Sequence, residues 1–417
     1  MNALAEWVAG AVSTPAASVE GAAAERLRVT VCRTWPELLA HRADWERLLA
    51  SSPAASIFNT PEWLGAWWEA FGSGHRLACL LFFDAAGELV GLAPLYRDEI
   101  EGPRGLRLSR LRFVGDGSND SDNLDFVWLP GREAACLAAF VSWLEEQSPA
   151  DLCELNTLAD GSETEKWLRR ELKARAWAHE VTTRPRLVIA LPESWEAYLA
   201  GLSRDERWRI TSHGRRLPAK YRLTVRRCRD DGELARDLDA LFRLHQKRWE
   251  QRGNPGTFAS PERRQFYRDV AQRFLGRGWL ELWLLEVDGQ ASAAQFCFRY
   301  RDTVHLLQEG FDPDYAKDRL GAFLRAEVLR AVVSEGARRY DFLAGSDPSK
   351  LRWGPQAGHY VDLHFARPLS RGGLYLGVRR RGRAAREWLR GHLPPSAFAM
   401  ARGTYRALAP RTRAEQA

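Results

Sequence analysis

Lysine is scarce in this chain: six of its 61 basic side chains are lysine, so arginine outnumbers it about nine to one. Long apolar runs are missing too. No stretch approaches the ~20 consecutive apolar residues of a membrane-crossing helix, so no transmembrane segment is expected. The first residues, MNALAEWVAGAVSTPAAS, lack basic side chains near Met1 and place Glu6 inside their apolar stretch. Residues 1–25 therefore read as a flexible lead-in rather than a secretory signal, with the cytoplasm as the expected location. Metal-ligand spacing is absent as well. Cys32, Cys79, Cys136, Cys153, Cys228 and Cys297 are scattered, with no C-x-x-C or Cys/His cluster. Buried free thiols are expected, and neither disulfides nor a metal.

Of the 417 residues, 45% are hydrophobic and 28% charged, a globular composition at a length suited to two domains. The charge is unevenly placed. Pro368–Ala417 carries eleven arginines and two glutamates, about +9, against +7 for the whole chain. The first 367 residues are thus near −2. Such a tail is read either as a contact for anionic membrane lipid, glycan or nucleic acid, or as a solvated tail of an arginine-rich chain.

Strand and helix patterns interleave along the chain, which predicts an α/β fold, a mixed sheet flanked by helices. In FNTPEWLGAWWEAFG, Thr60 suits the helix N-cap and Pro61 the first helical position. Trp63, Leu64, Trp67, Trp68 and Phe71 then form one broad apolar face, read as core. WLELWLLEVDGQASAAQFCFRYRDTVHLLQEGF predicts three strands with turns at Asp288-Gly289 and Arg301-Asp302. A helix from about Leu320 to Glu335 and a strand at RRYDFLA follow. The order strand, helix pair, meander, helix, strand recurs more loosely in the first half. The expected division is 26–187 and 188–367, with 368–417 as a basic tail.

FNTPEWLGAWWEAFG, GELVGLAPLY and LRFVGDGSNDSDNLDFV resemble the first half of the cellulose-biosynthesis-associated (CelD/BcsL-type) acetyltransferases of the GNAT superfamily. LSRDERWRITSHGRRL, EGFDPDYAKDRLGAFLRAEVLRAVVSEGARRYDFLAG and SKLRWGP resemble the second half of that family and the related Fem-type aminoacyl transferases. The resemblance covers roughly residues 27–367. It implies tandem GNAT-like domains, each a mixed, mostly antiparallel sheet with flanking helices, and an acyl-CoA cosubstrate.

Transfer from a CoA thioester needs backbone N–H donors at a helix N-terminus for the pyrophosphate, a base for the nucleophile, and a proton or positive charge for the leaving thiolate. The first requirement points to Tyr315, Lys317, Arg319, Leu320, Gly321 and Ala322. There a glycine opens a helix beside two cations, and GNAT enzymes resembling this chain hold CoA at the equivalent loop. Asp318 departs from the family pattern. For the base, alternation along TVHLLQEGF places His305 and Glu309 on one face, with Glu309 at the strand end and a raised pKa expected. Asp341, a carboxylate within a strand, needs a partner or a task. The Fem resemblance assigns an active-site lysine to Lys350 and an aromatic to Trp353, with Asp347 nearby and Ser349 in place of the first aromatic. Arg204 and Arg207 share a helix face with Thr211 and stand as substrate-binding candidates.

The reading is therefore an acyltransferase that moves an acetyl or longer acyl group from CoA to an amine or hydroxyl of a glycan, sugar nucleotide or lipid-linked intermediate. Contact with the inner membrane would come through the basic tail. Alternatives are a tRNA-dependent aminoacyl transferase of the Fem type and a non-catalytic scaffold of a polysaccharide-synthesis complex.

Overall fold

The computed structural model describes residues 26–102, 105–147 and 149–392. The lead-in over 1–25 and the tail beyond His392 lie outside the described residues. The first half contains β1 (Arg28–Cys32), α1 (Trp35–Leu39), α2 (Arg42–Ser51), α3 (Pro61–Phe71), β2 (Arg76–Leu77), β3 (Cys79–Phe83), β4 (Leu89–Ala93), β5 (Leu95–Glu101) and β6 (Arg107–Phe113). It continues through β7 (Val127–Trp128), α4 (Glu133–Gln147), β8 (Leu152–Ala159), α5 (Glu163–Ala174) and β9 (Ala178–Ala190). The second half contains α6 (Trp195–Gly201), α7 (Arg204–Lys220), β10 (Leu223–Arg227), α8 (Asp231–Glu250), α9 (Pro261–Gly276), β11 (Leu280–Val287), β12 (Gln290–Tyr300) and β13 (Thr303–Phe311). After it come α10 (Leu320–Ser334), β14 (Arg339–Ala344), α11 (Pro348–Leu351), β15 (Gln356–Ala366) and α12 (Arg371–His392).

Local chemistry accounts for most of these elements. Thr60 Oγ1 accepts from the Trp63 N–H at 3.3 Å and Pro61 opens α3, as the sequence predicts. The Asp288-Gly289 and Arg301-Asp302 turns join β11, β12 and β13, with Asp288, Gly289 and Arg301 all at positive φ. Two expectations change. NLDFVWL is strand-like in its residues but forms only the two-residue β7, because Asp125 turns its own side chain onto the Phe126 N–H (2.7 Å) and the Thr164 hydroxyl (2.5 Å). SWEAYLAGLSRDERWRITSHGRRL, whose pattern reads as helical and basic, is two helices. Ser203 breaks the run by accepting from the Glu206 N–H at 3.2 Å and capping α7.

Four strands form a small sheet in the order β1-β3-β4-β7. Eleven others form one continuous sheet, β10-β11-β12-β13-β14-β9-β15-β8-β6-β5-β2. Its two halves are interlocked, because β15 returns from the end of the fold to lie between β8 and β9, while β9 also pairs with β14. The core is shared in the same way. Trp63 and Phe58 of the first half meet Phe266 and Phe298 of the second at ring-centroid distances of 5.2 and 5.8 Å. Trp63, Leu64 and Trp67 of the expected apolar face are buried, while Trp68 and Phe71 are half-buried. All six cysteines are buried and free.

The acidic loop GDGSNDSDNLD (115–125) stitches the halves together. Asp122 accepts from the Ala344 N–H at 2.8 Å, and Asp120 from the Tyr267 hydroxyl at 2.9 Å. Burial pushes the Asp122 carboxyl up to about 6 and that of Asp125 up to about 7. A carboxyl raised in the folded state holds a proton that the unfolded chain has lost. Its stabilising contribution is therefore present in acid and declines as pH rises from ~4 to about 7, at ~1.4 kcal/mol per unit. His245 and His305, both pulled down to about 4 by burial, act in the opposite sense over much of that window. Asp125→Asn keeps an acceptor for Phe126 and Thr164 without the ionisation. It should raise stability by about 2 kcal/mol at pH 8.5 and by much less at pH 4.5, measured by urea unfolding at both values.

Candidate active site

β13 and β14 run parallel, but pair only over Thr303–His305 and Arg339–Asp341 before they part. Both strands are irregular at that point. Pairing of β13 with β12 passes from Cys297↔Leu306 to Phe296↔Gln308, leaving Leu307 as an extra residue. In β14, Leu343 adopts φ 60° and the register with β9 slips between Asp341 and Ala344. A bulge bends its strand and re-aims the side chains beyond it. His305 and Glu309 consequently lie on opposite faces, not on the shared face that simple alternation predicts. His305 packs against Phe58 and Phe298, with centroids 5.9 and 5.4 Å away, whereas Glu309 turns toward α10.

A cleft of about 830 Å³ opens where the strands part. Its walls come from α7, the end of α8, the end of β13, the start of α10 and the turn around α11. Eight arginines and four carboxylates line it, an excess of four positive charges. Ile210, Phe311, Phe323 and Trp353 give it an apolar side. Gly321 and Ala322 stand at its α10 end, where the Arg319 carbonyl takes the N–H groups of Ala322 and Phe323 at 2.9 and 3.2 Å. A Cβ at Gly321 would come within 3.1 Å of the Phe311 ring, so glycine keeps this approach open. Arg319, which precedes the helix and lines the cleft, holds a left-handed conformation (φ 52°, ψ 46°). That conformation costs an arginine about 1 kcal/mol. Arg319→Gly should therefore unfold at higher urea, a change read by denaturation.

The charges inside are tightly coupled. Arg325, 4% exposed within the apolar helix α10, donates to Glu309 in a short hydrogen bond. Arg248 stands 3.6 Å from the other Glu309 oxygen, and the Gln295 amide donates at 3.4 Å. Burial alone would raise the Glu309 carboxyl, but Arg325 and Arg248 outweigh it and hold the group below the usual carboxylate range. The expected raised pKa is thus reversed, and Glu309 is a fixed negative charge rather than a ready base. Lys350, which does not line the cleft, donates from Nζ to the Phe342 carbonyl of β14 at 2.9 Å. Burial lowers its pKa, with Glu309 opposing. Asp347 lines the cleft and accepts from the Ser349 N–H at 2.8 Å, which lowers its pKa. Trp353 is buried at the cleft wall, with the Arg325 guanidinium 5.4 Å from its ring.

Other candidates stand elsewhere. Asp341 is fully buried and bound by Arg186 through Nε at 3.1 Å and through a shorter second bond, with His305 at 3.7 Å. Asp341 is absent from the cleft lining, and His305, with Arg186 and Arg339, lines a separate 430 Å³ cavity. Arg207 turns back to donate to the Leu199 and Ala200 carbonyls at 2.9 Å, closing the end of α6, and Arg204 is exposed. Leu320 is core, Lys317 is exposed, and Tyr315 packs edge-on against Tyr221 at 5.6 Å. Asp318 is drawn away from the cleft by Lys220 (2.9 Å) and the Tyr221 hydroxyl (2.8 Å), so its charge does not oppose an anion there.

Sequence reasoning missed Arg209, Arg215, Arg248, Arg325 and His213, all of which line the cleft. Arg325 had a readable signal, a charge on the apolar period of a helix. His213 had none; burial and the Arg319 and Arg216 charges lower its pKa, which favours a neutral imidazole. Cys228, Glu233 and Asp237 gather within 4.8 Å of one another, but Arg226 occupies both Asp237 oxygens at 2.5 and 2.6 Å, where a cation would sit.

The parallel strands β13 and β14 part near the start of α10, and the end of β13 and α10 both line the basic cleft. Residues 204–351 match the acetyltransferase (GNAT) domain family. Among solved structures, the chain is similar to FemX, at 13% identity and TM-score 0.55, covering 77% of this chain and 95% of that one. A conserved protein of unknown function from Bacteroides thetaiotaomicron aligns at 12% identity and TM-score 0.51, covering 81% and 100%. A tandem GNAT protein from the clavulanic acid biosynthesis pathway aligns at 13% identity and TM-score 0.44, covering 82% and 98%. No curated protein matches the sequence. The mixed α/β fold expected from the sequence, a sheet flanked by helices, is the one found.

Proposed function

We propose that this protein transfers an acyl group from acyl-CoA to an amine or hydroxyl of a glycan, sugar nucleotide or lipid-linked envelope intermediate, as the CelD/BcsL-type resemblance implies. The observation that carries the reading is the cleft at the parted strands, with its open helix N-terminus and its excess of arginine. Buried Nε atoms of Arg248 and Arg325 lack a hydrogen-bond partner there, which suits a cleft built to receive an anion. The pyrophosphate would meet the α10 N-terminus and Arg319, and the pantetheine arm the apolar wall. The nucleophile attacks the thioester carbonyl and loses its proton. His213, whose lowered pKa favours the neutral imidazole, is a group in the cleft able to accept it. As the C–S bond breaks, Lys350 gives a proton to the departing thiolate, a transfer eased by its lowered pKa.

Calorimetry with acetyl-CoA, longer acyl-CoAs and free CoA tests the donor. Micromolar binding is expected, weakened at least tenfold in Gly321→Val, whose branched side chain would collide with Phe311 and close the approach. Equal affinity in that variant would remove the α10 loop from the site. Absence of binding to every CoA species, with binding of charged tRNA instead, would replace the reading with aminoacyl transfer.

A further inference from the structure

α12 turns Leu376 and part of Tyr375 inward, but charge faces inward with them. A surface helix ordinarily turns apolar residues inward and charges to water. Here Arg379 and Arg383 point inward, reaching Glu180 at 2.9 and 2.7 Å, and Arg379 also stands 3.6 Å from Glu154. Outward stand Leu374 (66% exposed), Val378 (56%), Ala385 and Trp388 (60%). Their spacings of four, seven and three residues hold them on one stripe of the helix, at ~100° per residue. Arg381 lies on this stripe and Arg380 about 80° beyond it, both exposed. Leu369, just before the helix, is 98% exposed.

An apolar stripe in water marks a surface that something covers. A second copy meeting this face about a two-fold axis would set Arg381 against the same arginine, a like-charge contact. An anionic bilayer accepts both features, the stripe entering the acyl boundary and the guanidiniums meeting the headgroups. Tryptophan is favoured at that depth. The sequence beyond the helix adds Arg402, Arg406, Arg411 and Arg413 against Glu415.

We propose that α12 docks the protein on an anionic lipid surface. Flotation of the full chain with vesicles of phosphatidylcholine and phosphatidylglycerol at roughly 7:3, and with phosphatidylcholine alone, tests it directly. The chain should float with the anionic vesicles, and on the order of tenfold less with the neutral ones or in high salt. Leu374→Glu/Val378→Glu, the gentler Leu374→Ala/Val378→Ala, and Arg380→Glu/Arg381→Glu should each lower the bound fraction several-fold without changing the melting temperature. Failure to float, or variants that float like the parent, would overturn the proposal. So would a doubled mass in light scattering that Val378→Glu returns to a single chain. The readout uses no acyl donor, so it stands or falls apart from the acyl-transfer reading.

Discussion

Arg325→Met is expected to lower the stability of this protein by about 3–5 kcal/mol at neutral pH. The Arg325 side chain is 5% exposed and that of Glu309 23%, so both charges depend on each other for solvation lost on folding. Methionine fills much of the volume but leaves the Glu309 carboxylate with only Arg248, 3.6 Å away. The pH dependence should change sign. In the parent, a carboxyl held below its ordinary range contributes stability above its unfolded pKa, and loses it as pH falls through the folded one. In the variant, burial dominates and raises the carboxyl, so stability declines as pH rises and the deficit shrinks in acid. Urea unfolding between pH 4 and 8 reads both effects. Arg325→Met/Glu309→Gln should recover much of the loss, because no unpaired charge remains buried. Equal stabilities at neutral pH would show that the pair is solvated and not buried.

Lys350→Met should lower single-turnover thiol release from acetyl-CoA, with hydroxylamine as surrogate acceptor, by on the order of a hundredfold. Stability should change by no more than ~1 kcal/mol, the worth of the hydrogen bond to Phe342. Lys350→Arg separates charge from proton transfer, since a guanidinium keeps its proton throughout the working range. The rate should stay low in that variant if the thiolate needs a proton. The parent's alkaline limb should fall below the ordinary lysine range, following the lowered pKa of Lys350, and should vanish in Lys350→Met. An unchanged rate in Lys350→Met would remove the residue from the chemistry.

Element order and type were legible in the residues because they depend on short-range periodicity and capping. The Thr60-Pro61 helix start, the β11–β13 meander and the glycine that opens α10 beside the cleft all follow from neighbours within a few positions. Of the residues singled out for their chemistry, Gly321 and Trp353 line the cleft. Errors arose where one residue of register matters. The extra Leu307 separates His305 from Glu309, and no local pattern announces a bulge whose partner strand lies ten residues away in the chain. Arg207 was misread because a helix face does not reveal whether its arginine turns to a ligand or to the carbonyls of the preceding helix.

By itself the sequence determined an α/β chain with GNAT-like segments, an open helix N-terminus and a strongly basic end. Only the tertiary structure decided which charges face one another. Arg325 and Arg248 surround Glu309 and reverse its expected pKa, while Asp122 and β15 cross between the halves. Those outcomes depend on contacts between residues tens to hundreds of positions apart. There, burial and Coulomb energy are set by the packed three-dimensional arrangement, which periodicity along the chain does not encode.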